Sequence, residues 1–191
     1  MIVHNTADDA RNNYNQEILP LRGKILNVLK DKSNKTFESE EIINILKSIG
    51  YDPSKKKNEL RVGKIILLPD ADEDGKHIGT LLMGLFSKVM PDIIRQGKVF
   101  VVDSSLFMCK HGGKVWFGRS LADVLKKSGG RGKVTRVKGW GELDPPELRQ
   151  VAFDVKTRQL SRIRLDNPKQ LKHFIKIMGE SADTRKELLG L

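Results

Sequence analysis

Residues 64–78 read Lys64-Ile65-Ile66-Leu67-Leu68-Pro69-Asp70-Ala71-Asp72-Glu73-Asp74-Gly75-Lys76-His77-Ile78, and the fold turns on them. Residues 64–68 form a short continuous apolar run, β-branched at its start. That is the pattern of a buried central strand in a parallel sheet. The run leads straight into alternating aspartates. Beyond them Ile78, Leu81, Leu82, Leu85, Phe86 and Val89 recur at helical spacing until Met90-Pro91, and residues 98–102 read as a second strand. Strand, helix and strand in this order make a βαβ unit and predict an α/β fold.

In an extended segment alternate side chains point the same way. Asp70, Asp72 and Asp74 are therefore expected to converge just past the strand end, the edge at which open α/β sheets hold ligands. Clustered carboxylates repel, and a hard divalent cation offsets that repulsion by oxygen coordination. The plain alternative is an acidic turn capping the next helix, which Asp74 alone could satisfy; a cap does not require three acids. Asp-x-Asp-x-Asp-Gly also opens an EF-hand loop. That loop needs a Glu at its twelfth position, here Leu81, and a helix in front of it, where residues 64–68 read as a strand. A phosphatase of the haloacid dehalogenase type would use Asp70 and Asp72. Its usual Thr or Val two residues later is Asp74 here, and that reading leaves the positive charge of the chain unexplained.

Working outward, residues 8–17 are polar and suggest a short helix. Residues 20–24 read as a turn into an extended piece over 25–29, and 31–35 as a polar loop. Ser39 can cap a helix with Ile42, Ile43, Leu46 and Ile49 on one face and Gly50 at its end. Residues 52–58 form a lysine-rich loop. Residues 106–110 and 115–118 suggest a hairpin around Gly112-Gly113, and Ser120 can cap a helix over 121–127. A Gly-rich basic loop over 128–133, a strand over 134–137, a helix over 145–153, a strand over 161–165 and two short helices split at Met178-Gly179 complete the chain.

Lys and Arg number 35 against 24 Asp and Glu, a net charge of +11 and a pI near 9.8. Such a surplus favours a polyanionic partner, because phosphates exchange their counterions for Lys and Arg; a basic protein without one has the same count. The 38% hydrophobic and 31% charged fractions suit a globular chain. No apolar run approaches the roughly 18 residues of a membrane helix. The polar start, Met1-Ile2-Val3-His4-Asn5, lacks an apolar signal core. The single cysteine, Cys109, excludes an internal disulfide and any multi-Cys zinc site, and fits a reducing cytoplasm.

Residues 70–78 resemble the D-x-D-x-D-G-x-H-I signature of the Toprim domain in type IIA DNA topoisomerases of the gyrase B group. Leu19-Pro20-Leu21-Arg22-Gly23-Lys24-Ile25-Leu26-Asn27-Val28 is similar to that family's P-L-R-G-K-I-L-N-V block. Lys138-Gly139-Trp140-Gly141-Glu142-Leu143 is similar to its K-G-L-G-E-M block. Met178-Gly179 followed by Arg185-Lys186 is similar to its terminal segment. The blocks occur in the family's order and span nearly the whole chain.

The resemblance implies a Toprim fold, a Rossmann-like parallel sheet with flanking helices, over residues 1–106, and a C-terminal α+β tail of the gyrase B type over 107–191. It implies a subunit of an ATP-dependent type II topoisomerase, which cuts both strands of one duplex, passes another through and reseals. A tyrosine on a different subunit attacks the phosphodiester, and Mg²⁺ stabilises the pentavalent phosphate and the departing 3′ oxygen. By resemblance, Asp70 and Asp72 are the catalytic metal ligands and Asp74 supports them. Arg22, Lys24, Asn27, His77 and Lys138 are the expected DNA contacts, although Arg22 and Lys24 also read as ordinary surface charges and His77 as a structural cap. Trp140 is expected to pack rather than to stack on a base, and Tyr14 and Tyr51 are expected to be structural. Double-stranded DNA, an ATPase-bearing subunit and a tyrosine-bearing breakage-reunion subunit are the implied partners, in a cytoplasm.

Departures from the pattern are Lys76 for a frequent Ser, Gly79 for a frequent basic residue and Trp140 for a usual Leu. The family's first Toprim motif, a catalytic Glu in an E-G-D-S-A stretch, would precede Asp8-Asp9-Ala10-Arg11. The resemblance thus suggests a small split subunit of the kind some large phages encode, lacking the first Toprim strand, inactive alone and completed by a Glu in trans. Glu17 and Glu73 are internal candidates disfavoured by position: Glu17 lies within the polar N-terminal segment, and Glu73 alternates away from the aspartates. The alternative is a non-catalytic gyrase-like fragment that binds DNA or a partner.

Overall fold

The computed structural model describes residues 2–31, 35–103, 106–164, 167–179 and 186. Part of the expected loop at 31–35, the end of the strand expected over 161–165, and Arg185 with most of the second C-terminal helix lie outside the described residues. The chain folds as a mixed α/β structure in two compact units, neither continuous in sequence. One comprises Met1–Pro20, Ile66–Lys76 and Val101–Ser161; the other comprises Leu21–Ile65, His77–Phe100 and Arg162–Leu191.

The first unit contains helix α1 (Ile2–Ala10), helix α5 (Leu121–Ser128), helix α6 (Pro145–Leu148) and strands β3 (Leu106–His111), β4 (Lys114–Gly118) and β5 (Lys133–Val137). The polar helix expected over 8–17 lies further upstream, as α1. Ala7 and Ala10 of α1 are buried. Past Arg11 the Asn12 side chain accepts the Tyr14 N–H at 3.0 Å, and such local bonds compete with helix continuation. The predicted hairpin is present. β3 pairs antiparallel with β4 from Phe107↔Gly118 to His111↔Lys114, and with β5 from Leu106↔Val137 to Lys110↔Lys133. Gly112 and Gly113 both have positive φ, 54° and 72°, as a two-residue turn matched to strand twist requires.

Ser120 caps α5 as predicted, its Oγ accepting the Asp123 N–H at 3.1 Å. The helix expected over 145–153 is split. A capping box of Asp144 and Glu147 opens α6, and a wider π-type turn follows over Arg149–Phe153. The buried Glu147 carboxylate pairs with Lys110 at 2.6 Å, which offsets the cost of removing it from water. The core of this unit gathers Ala7, Ala10, Val102, Phe117, Val137, Trp140, Leu143, Leu148, Val151 and Ala152.

The second unit contains helix α2 (Glu40–Ile49), most of helix α3 (Glu73–Val89), helix α4 (Pro91–Arg95) and helix α7 (Pro168–Met178). α2 ends at Gly50 as the sequence predicts. Its buried face is Ile42, Ile45, Leu46 and Ile49, so Ile45 rather than Ile43 completes the stripe. Residues 25–29 form no strand. Asn27 accepts the Leu29 N–H at 3.1 Å through its side chain, and the Lys30 N–H at 3.1 Å through its carbonyl. Those bonds close a turn in place of a ladder.

Strands β1 (Ile65–Leu67), β2 (Val99–Val102) and β6 (Leu160–Arg162) form a three-stranded sheet in the order β1-β2-β6. The run at 64–68, expected to be central, is an edge strand of this sheet among the described residues. β2 takes the central place, and its Val99 and Val102 are fully buried, while Ile65 and Ile66 are only half-buried. β6 runs antiparallel to β2, because Val99 is bonded to Ile163 while Asp103 is bonded to Gln159, so one strand's numbers rise as the other's fall.

Leu85 on α3 is fully buried. Leu85→Ala should lower the free energy of unfolding by about 2–5 kcal/mol, read from the urea midpoint at unchanged slope; a loss near zero would contradict the packing described.

Candidate functional site

β1 ends at Leu67, and Leu68-Pro69-Asp70 continue without regular structure. The extended alternation inferred from the aspartates stops there. Ala71 and Asp72 bend and α3 begins at Glu73, so Asp74 lies in the first helical turn. Residues two apart on a helix do not share a face. Accordingly, among the described residues no group of three or more His, Cys, Asp or Glu is placed to hold a metal ion. The cause is local: the Asp72 carboxylate accepts the Gly75 N–H at 2.7 Å, the bond of a helix N-cap. Capping thus falls to Asp72 and not to Asp74.

Gly75 is dictated by space. A Cβ there would lie 2.3 Å from the Asp70 carbonyl oxygen and 2.7 Å from the Asp70 nitrogen. The start of α3 lies directly on the backbone that presents Asp70, and any side chain at 75 would push the two apart.

A segment some seventy residues downstream holds the other side of the loop. The Trp140 N–H donates to Asp70 Oδ1 at 2.9 Å, and the Trp140 indole N–H donates to the Pro69 carbonyl at 2.9 Å. The Ala71 N–H donates to the Lys138 carbonyl at 3.1 Å. Between them Gly139 lies beside the Asp70 carboxylate, where a Cβ would stand 3.4 Å from Asp70 Oδ1, an ordinary contact distance. Trp140 is 2% exposed within the core, so it packs as expected. Its hydrogen bonds to the acidic loop are a role that sequence reasoning missed. The one signal available was Gly75, a glycine in the first turn of a helix with no local reason for it.

The donor set suits Mg²⁺. Asp70 and Asp72 each commit Oδ1 to a backbone N–H, and neither Oδ2 has a hydrogen bond among the described residues. Mg²⁺ is commonly bound by one or two carboxylates, completing its shell with water and phosphate oxygens, so a three-residue protein cage is not required. Asp70 is half-buried, whereas Asp72 and Asp74 are exposed.

The expected DNA contacts divide between the units. Lys138 lies in the first with the acidic loop; Arg22, Lys24, Asn27 and His77 lie in the second. Arg22, Lys24, His77 and Lys138 are exposed. Asn27 is half-buried, and its Nδ2 donates to the Met178 carbonyl at 3.0 Å while its Oδ1 accepts the Leu29 N–H. The amide therefore ties the P-L-R-G-K-I-L-N-V block to the Met178-Gly179 block.

Tyr51 is hydrogen-bonded within its own unit. Its hydroxyl donates to Asp92 Oδ1 at 2.8 Å, and burial, then the Asp92 carboxylate, push the phenol from 10.0 up to about 12. Tyr14 differs, its side chain being fully exposed.

Set against known proteins, residues 4–103 match the Toprim domain and residues 129–190 match the carboxyl terminus of the DNA gyrase B subunit. The chain belongs to the Toprim family, in its type IIA topoisomerase branch. It is 37% identical over 169 residues to the B subunit of DNA topoisomerase 4 from Escherichia coli, which covers 85% of this chain and 27% of that protein. It is 34% identical over 195 residues to the B subunit of DNA gyrase from Thermotoga maritima, covering 96% of this chain and 30% of that protein. It is 37% identical over 193 residues to the B subunit of DNA topoisomerase 4 from Bartonella bacilliformis, covering 97% and 27%. The chain thus spans a little under a third of the length of these relatives.

Gly75→Ala should lower the thermal midpoint by several degrees and broaden the amide resonances of residues 70–72 in the two-dimensional NMR spectrum; an unchanged spectrum would show that the close approach is not enforced. Below pH 10 the Tyr51 phenol is protonated folded and unfolded, so its stabilising bond is fully present. The contribution is lost as pH rises through about 12. Tyr51→Phe should be less stable than wild type at pH 8, and the gap should close between pH 10 and 12 in denaturant titrations; a pH-independent gap would refute this.

Proposed function

We propose that this chain supplies the Mg²⁺-binding carboxylates and part of the DNA contacts for double-strand cleavage and religation in an ATP-dependent type II topoisomerase. The observation that carries the reading is that Asp70 and Asp72 each have one carboxylate oxygen held by a backbone N–H, with no hydrogen bond to the other oxygen among the described residues. It occurs at the exit of β1 in a chain of the Toprim family. Asp70 and Asp72 hold the cation, and Asp74 adds charge beside them. Bound there, Mg²⁺ supplies electrostatic stabilisation of the reacting phosphate and the leaving 3′ oxygen.

The chain's own residues present and orient the carboxylates. Trp140 and Lys138 hold the loop from one side, and the first turn of α3 holds it from the other. Arg22, Lys24, His77 and Lys138 meet phosphates as exposed donors, and Asn27 contributes by ordering the loop that carries Arg22 and Lys24. Residues 1–106 act as the Toprim part and 107–191 as the gyrase B type tail. The partners are double-stranded DNA, a tyrosine-bearing subunit that forms the covalent link, and an ATPase-bearing part that drives strand passage, in a cytoplasmic setting. No helix among the described residues is long and apolar enough to cross a membrane.

In the enzyme assembled with its tyrosine-bearing partner, Asp70→Asn or Asp72→Asn should reduce Mg²⁺-dependent cleavage by about a hundredfold or more, with the fold retained. Asp74→Asn should be milder. Cleavage at the wild-type rate in Asp70→Asn would overturn the metal role and leave a non-catalytic, DNA- or partner-binding one.

DNA affinity should be largely electrostatic, given the +11 charge. Lys24→Ala and Lys138→Ala should each flatten the slope of log affinity against log salt by about 0.9, measured by fluorescence anisotropy on a duplex. Unchanged slopes would remove both residues from the interface.

A further inference from the structure

We propose that Trp140 is a positioning residue for Asp70, and that its indole N–H, not only its bulk, sets where the Asp70 carboxylate stands. The inference rests on the metal role of Asp70 proposed above and deepens it. Three consecutive residues, Pro69, Asp70 and Ala71, are each hydrogen-bonded to the segment 138–140. Two of those bonds come from Trp140. Its backbone N–H holds one carboxylate oxygen and so turns the other away. Its indole N–H holds the carbonyl of the residue just before.

The anchor is rigid because Trp140 is 2% exposed and is surrounded by the core of its own unit, with Val102, Val137, Leu143, Leu148 and Val151 among its members. Pro69 cannot answer with a backbone donor of its own, since proline has none. Its carbonyl is the group left to fix the exit of β1, and the indole meets it. A buried aliphatic side chain at 140 would fill the same space but would leave the Pro69 carbonyl without this donor. A partly buried carbonyl left unpaired loosens the segment that bears it, and groups that orient a metal ligand without touching the metal affect its affinity.

The variant is Trp140→Phe in the full chain, backed by replacement of residue 140 with benzothienylalanine. That side chain keeps the shape and packing of tryptophan with sulfur in place of the N–H, so it folds where a smaller ring fails. Two readouts are taken. In the metal-free chain, amide hydrogen exchange at Ala71, whose N–H reaches the Lys138 carbonyl, should accelerate by about tenfold while exchange at Leu46 in α2 is unchanged. In Mg²⁺ titrations by calorimetry, affinity should fall by about tenfold.

Unchanged exchange at Ala71 in the benzothienyl protein overturns the positioning role whatever the metal does. Accelerated exchange with wild-type Mg²⁺ affinity, in a chain where Asp70→Asn abolishes binding, overturns it as well and leaves the metal role of Asp70 standing. Accelerated exchange in a chain whose Mg²⁺ binding is indifferent to Asp70→Asn supports the indole's hold on the loop and refutes the metal reading instead.

Discussion

The hydrogen bonds between residues 69–71 and residues 138–140 are the constraint on which the candidate site depends. A strand end that opens into Asp-x-Asp-x-Asp has no intrinsic reason to hold one shape. Its charges repel, and its backbone has left the sheet. Here the backbone is tied on one side by Lys138 and Trp140. On the other side the Asp72 cap and the bare Cα of Gly75 bring the first turn of α3 against Asp70. At Gly75 a side chain would collide with the Asp70 backbone.

Blocks far apart in the chain meet at this loop. Residues 70–75 provide the acids, and the downstream Lys-Gly-Trp segment holds one oxygen of Asp70 through the Trp140 N–H. The burial of Trp140 joins the site to the core, so loss of core packing would be felt at the carboxylate. In the second unit Asn27 plays a parallel part. Its amide joins the loop carrying Arg22 and Lys24 to the end of α7, which orders two exposed cations without a strand.

The α/β class, the order β1, α3, β2, the hairpin at Gly112-Gly113, and the caps at Ser120 and Gly50 were legible in the sequence, because each rests on local preference; the short helix α4 between α3 and β2 was not. Three features were not. The run at 64–68 reads as central because it is apolar, yet pairing partners and not hydrophobicity place a strand in a sheet, and β2 holds the middle. The aspartates read as convergent only if the segment stays extended. The N–H groups at the start of α3 compete for Asp72, and the helix begins two residues sooner than the alternation allows. The hold of Trp140 on the loop is a tertiary contact that no local pattern announces.

A divalent cation held at the Asp70 loop can be located directly. Fe²⁺ substituted for Mg²⁺, with ascorbate and peroxide, generates hydroxyl radicals at the bound ion, and the cut sites can be mapped by mass spectrometry. Because residues 69–71 are bonded to 138–140, cuts are expected in both stretches, suppressed by excess Mg²⁺ and absent from Asp70→Asn. Cuts confined to other parts of the chain, or cuts at the loop that persist undiminished in Asp70→Asn, would contradict it.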